Sequence, residues 1–149
     1  MNGIQDGVAV VTGASSGIGR QSALRFAAEG ASVVVADVVE DGGHETVEMI
    51  REDGGEATFV RTDVTDRGDV ERMVRTALDE YGGLDFAHNN AGIEGDNPPL
   101  AEHSEENWDR VIGVNLKGVW RCMKAEIPEM LDRGGGRIVN TSSISGLTG

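Results

Sequence analysis

The sequence is poor in several residue types, and each scarcity excludes a class of protein. A single cysteine, Cys122, in 149 residues cannot form a disulfide within the chain, which excludes a disulfide-stabilised scaffold. No stretch approaches the roughly 20 apolar residues of a membrane-spanning helix. The first residues, Met1 to Asp6, have neither the basic nor the apolar region of a signal peptide. We therefore expect a cytoplasmic protein.

Basic residues and metal ligands are also few. The chain carries 13 Lys and Arg against 26 Asp and Glu, a formal net charge of −13. So acidic a surface repels the phosphates of nucleic acids and of anionic membranes, and we predict neither as a partner. The three histidines, His44, His88 and His103, are far apart in the sequence, and no Cys/His spacing typical of a metal site occurs. We predict no metal.

A glycine-rich turn follows the first apolar run of the chain. The run at 8–11 is short and β-branched, which is typical of a central parallel strand buried on both faces. Gly13 can adopt the backbone angles of a sharp turn, and a helix beginning near Gly17 directs unpaired N–H groups and a positive dipole end at the turn. This arrangement predicts a pyrophosphate site. Its candidate residues are Gly13, Ser15, Ser16, Gly17, Ile18 and Gly19.

A second apolar run, Ser32 to Asp37, ends in an acid. A carboxylate at this position can accept both hydroxyls of an adenosine ribose, and it repels a 2′-phosphate. Neither Ser16 nor Val38 supplies a positive charge that would neutralise such a phosphate. The alternative is that Asp37 is a solvated acid at a strand end. We predict NAD as the cofactor, bound in part by Asp37.

Strands and helices alternate along the rest of the chain. The pattern predicts a short helix after Gly42, a strand at 57–64, a helix capped by Thr65 or Asp66 and ending at Tyr81, a strand at 84–89, a long helix from Ser104 to about Arg133 and a strand at 137–141. Such alternation predicts one α/β domain over 1–149. Its doubly wound parallel sheet, of the Rossmann type, would have the strand order 3-2-1-4-5.

Asn115 interrupts the apolar stripe of the predicted long helix, four residues before Val119, and Trp108 belongs to the same predicted inner face. A buried amide needs hydrogen-bond partners. Gly113 and Gly118 weaken the helix there and permit a local distortion. From the residues alone, Asn115 is either a functional amide or an edge residue satisfied by water.

Four motifs occur in an order that resembles the short-chain dehydrogenase/reductase family. They are Thr12-Gly13-x-x-x-Gly17-Ile18-Gly19, Asn89-Asn90-Ala91-Gly92, Asn115, and Ile138-Val139-Asn140-x-Ser142-Ser143. The resemblance runs from about residue 6 to the last residue. It implies a doubly wound nucleotide-binding fold in an enzyme that transfers hydride between NAD or NADP and a small alcohol or carbonyl substrate.

The resemblance also implies which further residues face the cofactor. These are Asp63, Val64, Asn90, Ala91 and Gly92. Asp63 would meet the adenine amino group through its carboxylate and Val64 through its backbone, although Asp63 is also a candidate helix N-cap. Asn89 would mainly brace the sheet.

Two catalytic residues follow from the same resemblance. Ser143 would donate a hydrogen bond to the carbonyl oxygen of the substrate, and Asn115 would hold a water that extends a proton relay. The family's Tyr-x-x-x-Lys pair, about a dozen residues after the serine motif, does not occur in these 149 residues. We therefore interpret the chain as the N-terminal portion of a longer enzyme, with the C-terminal part of the fold absent. We expect it to be inactive alone and to form a homo-oligomer at full length.

Two other functions remain open at this point. A non-catalytic NAD-binding protein or sensor would keep the glycine-rich turn but would not need Asn115 or Ser143. A structural or interaction fragment would bind no nucleotide at all. Titration with NAD separates this last possibility from the other two.

Overall fold

The computed structural model describes residues 3–144 and 146, and their centre is a five-stranded parallel sheet in the order β3-β2-β1-β4-β5. The strands are β1 Val8–Thr12, β2 Ser32–Asp37, β3 Glu56–Arg61, β4 Phe86–Asn89 and β5 Arg137–Asn140. Every pair of neighbours in this sheet is parallel. The predicted doubly wound α/β fold and its strand order are confirmed.

Helices connect the strands and cover both faces of the sheet. They are α1 Gly17–Ala28, α2 Glu40–Glu52, α3 Arg67–Tyr81, α4 Glu105–Ile112 and α5 Val119–Asp132. A short 3₁₀ turn, Leu100–Glu102, precedes α4. Within the described residues, no helix is both long and apolar enough to cross a membrane.

Strand β1 is buried on both faces because side chains alternate across a strand. Val8 and Val10 pack into one apolar cluster with α3 and α5, whereas Ala9 and Val11 pack into a second cluster with α1 and α2. The two clusters form the core and fix the sheet between its helical layers. The carboxyl ends of the strands are thereby held at one rim of the domain.

Strand β3 ends earlier than predicted, so Asp63 and Val64 lie in the following loop rather than on the strand. The Asp63 carboxylate turns the chain by accepting hydrogen bonds from the Thr65 N–H at 2.8 Å and the Thr65 hydroxyl at 2.7 Å. Asp66 is the N-cap of α3 and accepts from the Asp69 N–H at 2.8 Å. The alternative role of Asp63 as the helix cap is therefore wrong.

Strand β4 is also shorter than predicted. The Val8 N–H donates to the side chain of Asp85 at 2.9 Å rather than to a backbone carbonyl of β4. The backbone ladder between β1 and β4 accordingly starts at the pair Ala9 and Phe86. The Asp85 N–H in turn donates to the Val8 carbonyl oxygen at 2.9 Å, so the backbone and the side chain of Asp85 both hold the start of β1.

The predicted long helix is interrupted by six residues of π-helix, Gly113–Gly118, between α4 and α5. Its start is as predicted, since the Ser104 hydroxyl accepts from the Asn107 N–H at 3.1 Å. The two glycines expected to permit a distortion are the first and last residues of the π segment. Trp108 does not lie on a buried face as predicted, because 58% of its surface is exposed.

Candidate functional site

A cleft of about 1180 Å³ opens at the carboxyl ends of the strands, near the neighbouring strands β1 and β4, between which the strand order changes direction. Doubly wound folds place their ligands at this position. All but one of the predicted site residues line the cleft. They are Gly13, Ser15, Ser16, Gly17, Ile18, Asp37, Asp63, Val64, Asn90, Ala91, Gly92, Asn115 and Ser143.

The exception is Gly19, which shapes the turn from within rather than facing the cleft. A Cβ on Gly19 would lie 2.1 Å from the carbonyl oxygen of Gly13, so only glycine fits here. Gly13 and Gly17 have positive φ angles of 65° and 52°. A Cβ on Gly17 would meet nothing within 4 Å, so this position leaves open space in front of the α1 N-terminus.

Asp37 braces the glycine-rich turn. One carboxylate oxygen accepts from the Ser15 N–H at 2.9 Å and the other from the Val39 N–H at 3.0 Å. Only 9% of Asp37 is exposed, and this part faces the cleft. The alternative, that Asp37 is only a solvated acid at a strand end, is therefore wrong. Each oxygen retains a lone pair that can accept a further donor.

Arg20 stabilises the glycine-rich turn from the side that faces α2, away from the cleft. Its guanidinium donates to the carbonyl oxygen of Ser15 and forms an ion pair with Glu45 at 2.6 Å. Its Nε donates to the Thr46 hydroxyl at 3.0 Å, and that hydroxyl donates to the Ala14 carbonyl at 2.9 Å. Helix α2 thus holds the outer side of the turn, and Arg20 does not line the cleft.

Thr12 joins the glycine-rich turn to the loop after β4. Its buried hydroxyl accepts from the backbone N–H groups of Asn90 and Ala91, each at 3.0 Å. The Asn90 amide donates in return to the carbonyl oxygens of Thr12 and Gly13 at 3.3 Å. This role was not predicted from the sequence, and the one signal for it is a hydroxyl at the end of an otherwise apolar strand.

Asn89, the last residue of β4, braces the sheet by joining β4 to β5 and α5, as the resemblance implied. Its amide nitrogen donates to the Asn140 side chain on β5 at 3.0 Å and to Glu126 on α5 at 3.1 Å. Asn89 and Glu126 are both buried. The loops that follow β4 and β5 therefore begin from strands tied to each other and to α5.

His88 connects helix α1 to the same loops. Its ring nitrogens lie 2.8 Å from the Ser22 hydroxyl and 2.9 Å from the Thr141 hydroxyl, and Thr141 donates to the Asn90 side chain at 3.0 Å. Because the Thr141 proton is used on Asn90, the imidazole Nε2 must be the donor to Thr141. Burial lowers the pKa of His88, which favours the neutral form of the imidazole.

Two asparagines clamp the loop that forms the outer wall of the cleft. Asn115 accepts from the Ile93 N–H at 2.9 Å and donates to the Ile93 carbonyl at 2.8 Å. Asn107 repeats this pattern with Asp96, at 2.8 and 2.9 Å. The Asn115 amide is therefore satisfied by backbone rather than by water. The pairing of two helical asparagines with one loop was not predicted.

Asp69 positions Asp63 in the cleft wall. It accepts from the Asp63 N–H at 2.9 Å and forms ion pairs with Arg72 at 2.7 Å and Arg61 at 3.4 Å. The hydrogen bond from the Asp63 backbone lowers the pKa of the Asp69 carboxyl most, burial opposes this shift, and Arg72 and Arg61 lower the pKa further. Asp69 is thus a charged anchor behind the loop that carries Asp63 and Val64.

The protein-family profile described as short chain dehydrogenase matches residues 7–149. The chain belongs to this family. Within it, a short chain dehydrogenase/reductase of Aspergillus oryzae, astE, is 45% identical over 142 residues, which are 94% of this chain and 54% of that protein. Cyclohexanol dehydrogenase of an Acinetobacter species is 43% identical over 148 residues, which are 99% of this chain and 59% of that protein.

Solved structures agree with this assignment. A short chain dehydrogenase/reductase from Burkholderia phymatum, determined in complex with NAD, matches with a TM-score of 0.94 at 39% identity. The match covers 99% of this chain and 52% of that one. The chain therefore spans about half the length of the relatives it matches.

No group of three or more His, Cys, Asp or Glu side chains that could hold a metal ion occurs in residues 3–144 and 146. His88, the histidine nearest to the Asn-Asn-Ala-Gly motif in sequence, is instead bound by two hydroxyls. The lining of the cleft combines small residues, hydroxyls and amides with the charged side chains of Asp37, Asp63, Glu94 and Arg110.

Proposed function

We propose that this chain is the cofactor-binding part of an NAD-dependent oxidoreductase. The observation that carries the proposal is the junction of Asp37 with the glycine-rich turn. The carboxylate of Asp37 holds Ser15 in place and lines the cleft beside Gly17, at the N-terminus of α1. The ribose of an adenine dinucleotide needs a hydrogen-bond acceptor, and the adjoining pyrophosphate needs a helix N-terminus. Asp37 and the N-terminus of α1 supply these two groups in one cleft.

The charges in the cleft favour NAD over NADP. Among the described residues, the charged side chains that line it are Asp37, Asp63, Glu94 and Arg110. Arg110 lies on α4 and is directed to Asn107 at 3.3 Å and toward Asp96 at 3.9 Å. A 2′-phosphate beside Asp37 would meet a like charge. The related Burkholderia protein was solved with NAD, in agreement with this choice.

We assign the cofactor contacts as follows. Backbone N–H groups of Ser16, Gly17 and Ile18 would bind the pyrophosphate, because they lie at the open N-terminus of α1. Asp63 and Val64 would contact the adenine from the loop after β3. Gly19 contributes by allowing the turn to close. The loop after β4 would contact the nicotinamide ribose through the residues Asn90, Ala91 and Gly92.

The proposed reaction is the interconversion of an alcohol and a carbonyl compound. NAD, when bound, supplies or accepts the hydride. The Ser143 hydroxyl would orient the substrate by donating to its carbonyl oxygen. Since the Asn115 amide is occupied by Ile93, a relay water would be held by main-chain groups that the wider turn of the π segment makes available.

Proton transfer would need a group beyond those described in the cleft. The lining of the cleft includes no tyrosine, lysine or histidine among the described residues. We propose that the chain by itself binds NAD without catalysing turnover. The lack of tyrosine, lysine and histidine among the described residues of the cleft lining also favours the second candidate function, a non-catalytic NAD-binding protein or sensor.

Calorimetric titration with NAD and NADP tests the binding proposal, and NAD should bind more tightly. Turnover on secondary alcohols by the intact protein, followed through the absorbance of reduced cofactor, tests the enzyme proposal. A Ser143→Ala variant should then lose turnover while keeping its NAD affinity. An intact protein that binds NAD and oxidises no alcohol would favour the sensor instead.

A further inference from the structure

Glu126 is a carboxyl group in the apolar core, outside the cleft. It lies on α5 with none of its surface exposed, and Cys122 and Met130, one turn before and after it, belong to the core cluster on this side of the sheet. Among the described residues, the Glu126 side chain has one hydrogen bond, in which the Asn89 amide nitrogen donates to Oε2 at 3.1 Å. An acid in this environment needs a specific physical explanation.

Two buried acceptor atoms in the same pair of side chains have no partner. Within the described residues, these atoms are Glu126 Oε1 and Asn89 Oδ1. The Asn89 amide is oriented by two acceptors, since its nitrogen also donates to Asn140 Oδ1 at 3.0 Å. Both remaining oxygens can only accept while Glu126 is ionised, and two buried acceptors without donors are destabilising.

Among the described residues, Glu126 has no ion pair with a cation, and only burial and the Asn89 hydrogen bond shift its pKa. The titratable groups packed in the same cluster are the thiol of Cys122, whose pKa burial raises to about 12, and the phenol of Tyr81, whose pKa burial also raises. Arg121 is directed to the carbonyl oxygen of Val64 at 3.2 Å. From α3, the cluster receives apolar side chains such as Val74 and Ala77.

We propose that Glu126 carries a proton in the native protein and donates it from Oε1 to Asn89 Oδ1. Together with the donation from Asn89 to Oε2, this bond closes a ring between an acid and an amide. One proton then satisfies both orphaned oxygens and removes the buried charge. Burial raises the pKa of Glu126 to about 7, with the Asn89 hydrogen bond acting in the opposite direction, which agrees with a protonated acid at neutral and lower pH.

The protonated acid acts as a positioning residue for the cleft. Asn89 directly precedes Asn90 and Ala91, which bind the Thr12 hydroxyl, and its other partner, Asn140, directly precedes Thr141. The ring therefore fixes the ends of β4 and β5, from which both cleft loops start. Its consequence for NAD affinity rests on the proposed function, whereas its consequence for folding does not.

The pH dependence of unfolding tests the proton directly. A folded-state pKa above that of an exposed Glu means that stability is full at low pH and declines as pH rises through the folded pKa. The denaturant resistance of the wild-type protein should fall between about pH 4.5, the ordinary pKa of Glu, and about pH 7, the folded pKa of Glu126. The Glu126→Gln variant should show no such fall, since its amide donates to Asn89 at every pH. Glu129→Gln makes the same change at a partly exposed acid of α5 and should keep the wild-type decline.

Two further measurements keep the test decisive. The infrared band of a protonated carboxyl should be present in the folded wild-type protein at about pH 6, where exposed acids are ionised. It should vanish on unfolding. The NAD dissociation constant of the intact wild-type protein should rise several-fold between about pH 6 and pH 8, and that of Glu126→Gln should vary less.

Each outcome has a definite consequence. Equal pH slopes for wild type and Glu126→Gln, or no protonated carboxyl band at about pH 6, would overturn the proposal. If Glu126→Gln fails to fold, the infrared band of the wild-type protein decides the question alone. If NAD does not bind at any pH, the proposed function fails while the unfolding profiles still decide whether Glu126 is protonated.

Discussion

The carboxylate of Asp37 accepts a hydrogen bond from the backbone N–H of Ser15 at 2.9 Å, across 22 positions of the sequence. The end of β2 is thereby joined to the glycine-rich turn after β1. Asp37, which is predicted to bind a ribose, therefore also stabilises the glycine-rich turn. Substitutions of Asp37 must therefore distinguish its predicted contact with the ribose from its hydrogen bond to Ser15.

Asp37→Asn should weaken NAD about tenfold, equivalent to about 1.4 kcal/mol, and reduce the preference over NADP. The asparagine oxygen still accepts from one N–H, so the turn persists, whereas the charge that repels a 2′-phosphate is lost. Asp37→Ala leaves both N–H groups unpaired and should weaken both cofactors. Isothermal titration measures all four affinities.

Asp41→Asn provides the matched control, because it removes one negative charge from an exposed residue of α2 that does not line the cleft. It should leave both affinities unchanged within about twofold, as expected of a screened surface charge. An equal response to Asp37→Asn and Asp41→Asn would mean that only the net charge matters. The ribose contact assigned to Asp37 would then be wrong.

Gly17 and Gly19 should respond differently to alanine. The Cβ of Gly19→Ala would lie 2.1 Å from a backbone oxygen, and the clash should lower the free energy of unfolding by about 3 kcal/mol or more. Gly17→Ala meets no neighbouring atom but is strained by its positive φ, so about 1–2 kcal/mol is expected. Urea unfolding of both variants measures the difference, and equal losses would contradict the geometry of the turn.

The sheet, its strand order and the glycine-rich turn were predictable because apolar periodicity and local glycine chemistry determine them. The distortion near Asn115 was also indicated, since Gly113 and Gly118 mark the ends of the π segment. Trp108 shows where the pattern fails. A helical period identifies the apolar face of a helix but not which element covers it.

Residues missed by the sequence analysis act through partners distant in the chain. Thr12 binds backbone 78 and 79 positions away, and Glu126 binds Asn89 across 37. The only local indication for Glu126 was its spacing of four from Cys122 and from Met130, which places an acid on an apolar stripe. Its meaning depends on the strand that packs against it.

Asn115→Ala should release the loop at Ile93. Loss of one backbone hydrogen bond should accelerate amide exchange at Ile93 by about tenfold while leaving Asp96 protected. Asn107→Ala is the reciprocal control and should expose Asp96 but not Ile93. Hydrogen exchange monitored residue by residue distinguishes them. Loss of protection at both positions in either variant would show that the two clamps are one cooperative unit.

Asp69 should stabilise the protein in a pH-dependent manner. Its pKa is lowered from the ordinary value of 3.8, so its contribution is full above that value and is lost as pH falls through the lower folded pKa. Thermal unfolding should show wild type more stable than Asp69→Asn at neutral pH, with the difference shrinking in acid. Asp79→Asn, at an exposed acid of the same helix, should show no such difference.

The 149-residue chain should bind NAD without measurable dehydrogenase turnover. A positioned general acid/base supplies about 10²–10⁴-fold in rate, and neither Ser143 nor Asn115 exchanges protons near neutral pH. Tyr81, the only tyrosine in the sequence, packs against the core cluster, and burial raises its pKa. Lys124 lies over the ring of Trp120, 5.0 Å from its centroid.

The assay incubates the purified chain with NAD and a panel of secondary alcohols and follows the absorbance of reduced cofactor. Calorimetry on the same sample establishes that NAD is bound, so an absence of turnover is not an absence of cofactor. Robust turnover would contradict the assigned mechanism and would favour His88, which binds the Thr141 hydroxyl at the edge of the cleft, as the proton-transfer group. In that case His88→Gln should abolish the turnover, because a glutamine amide keeps a hydrogen bond to Thr141 but cannot take up a proton.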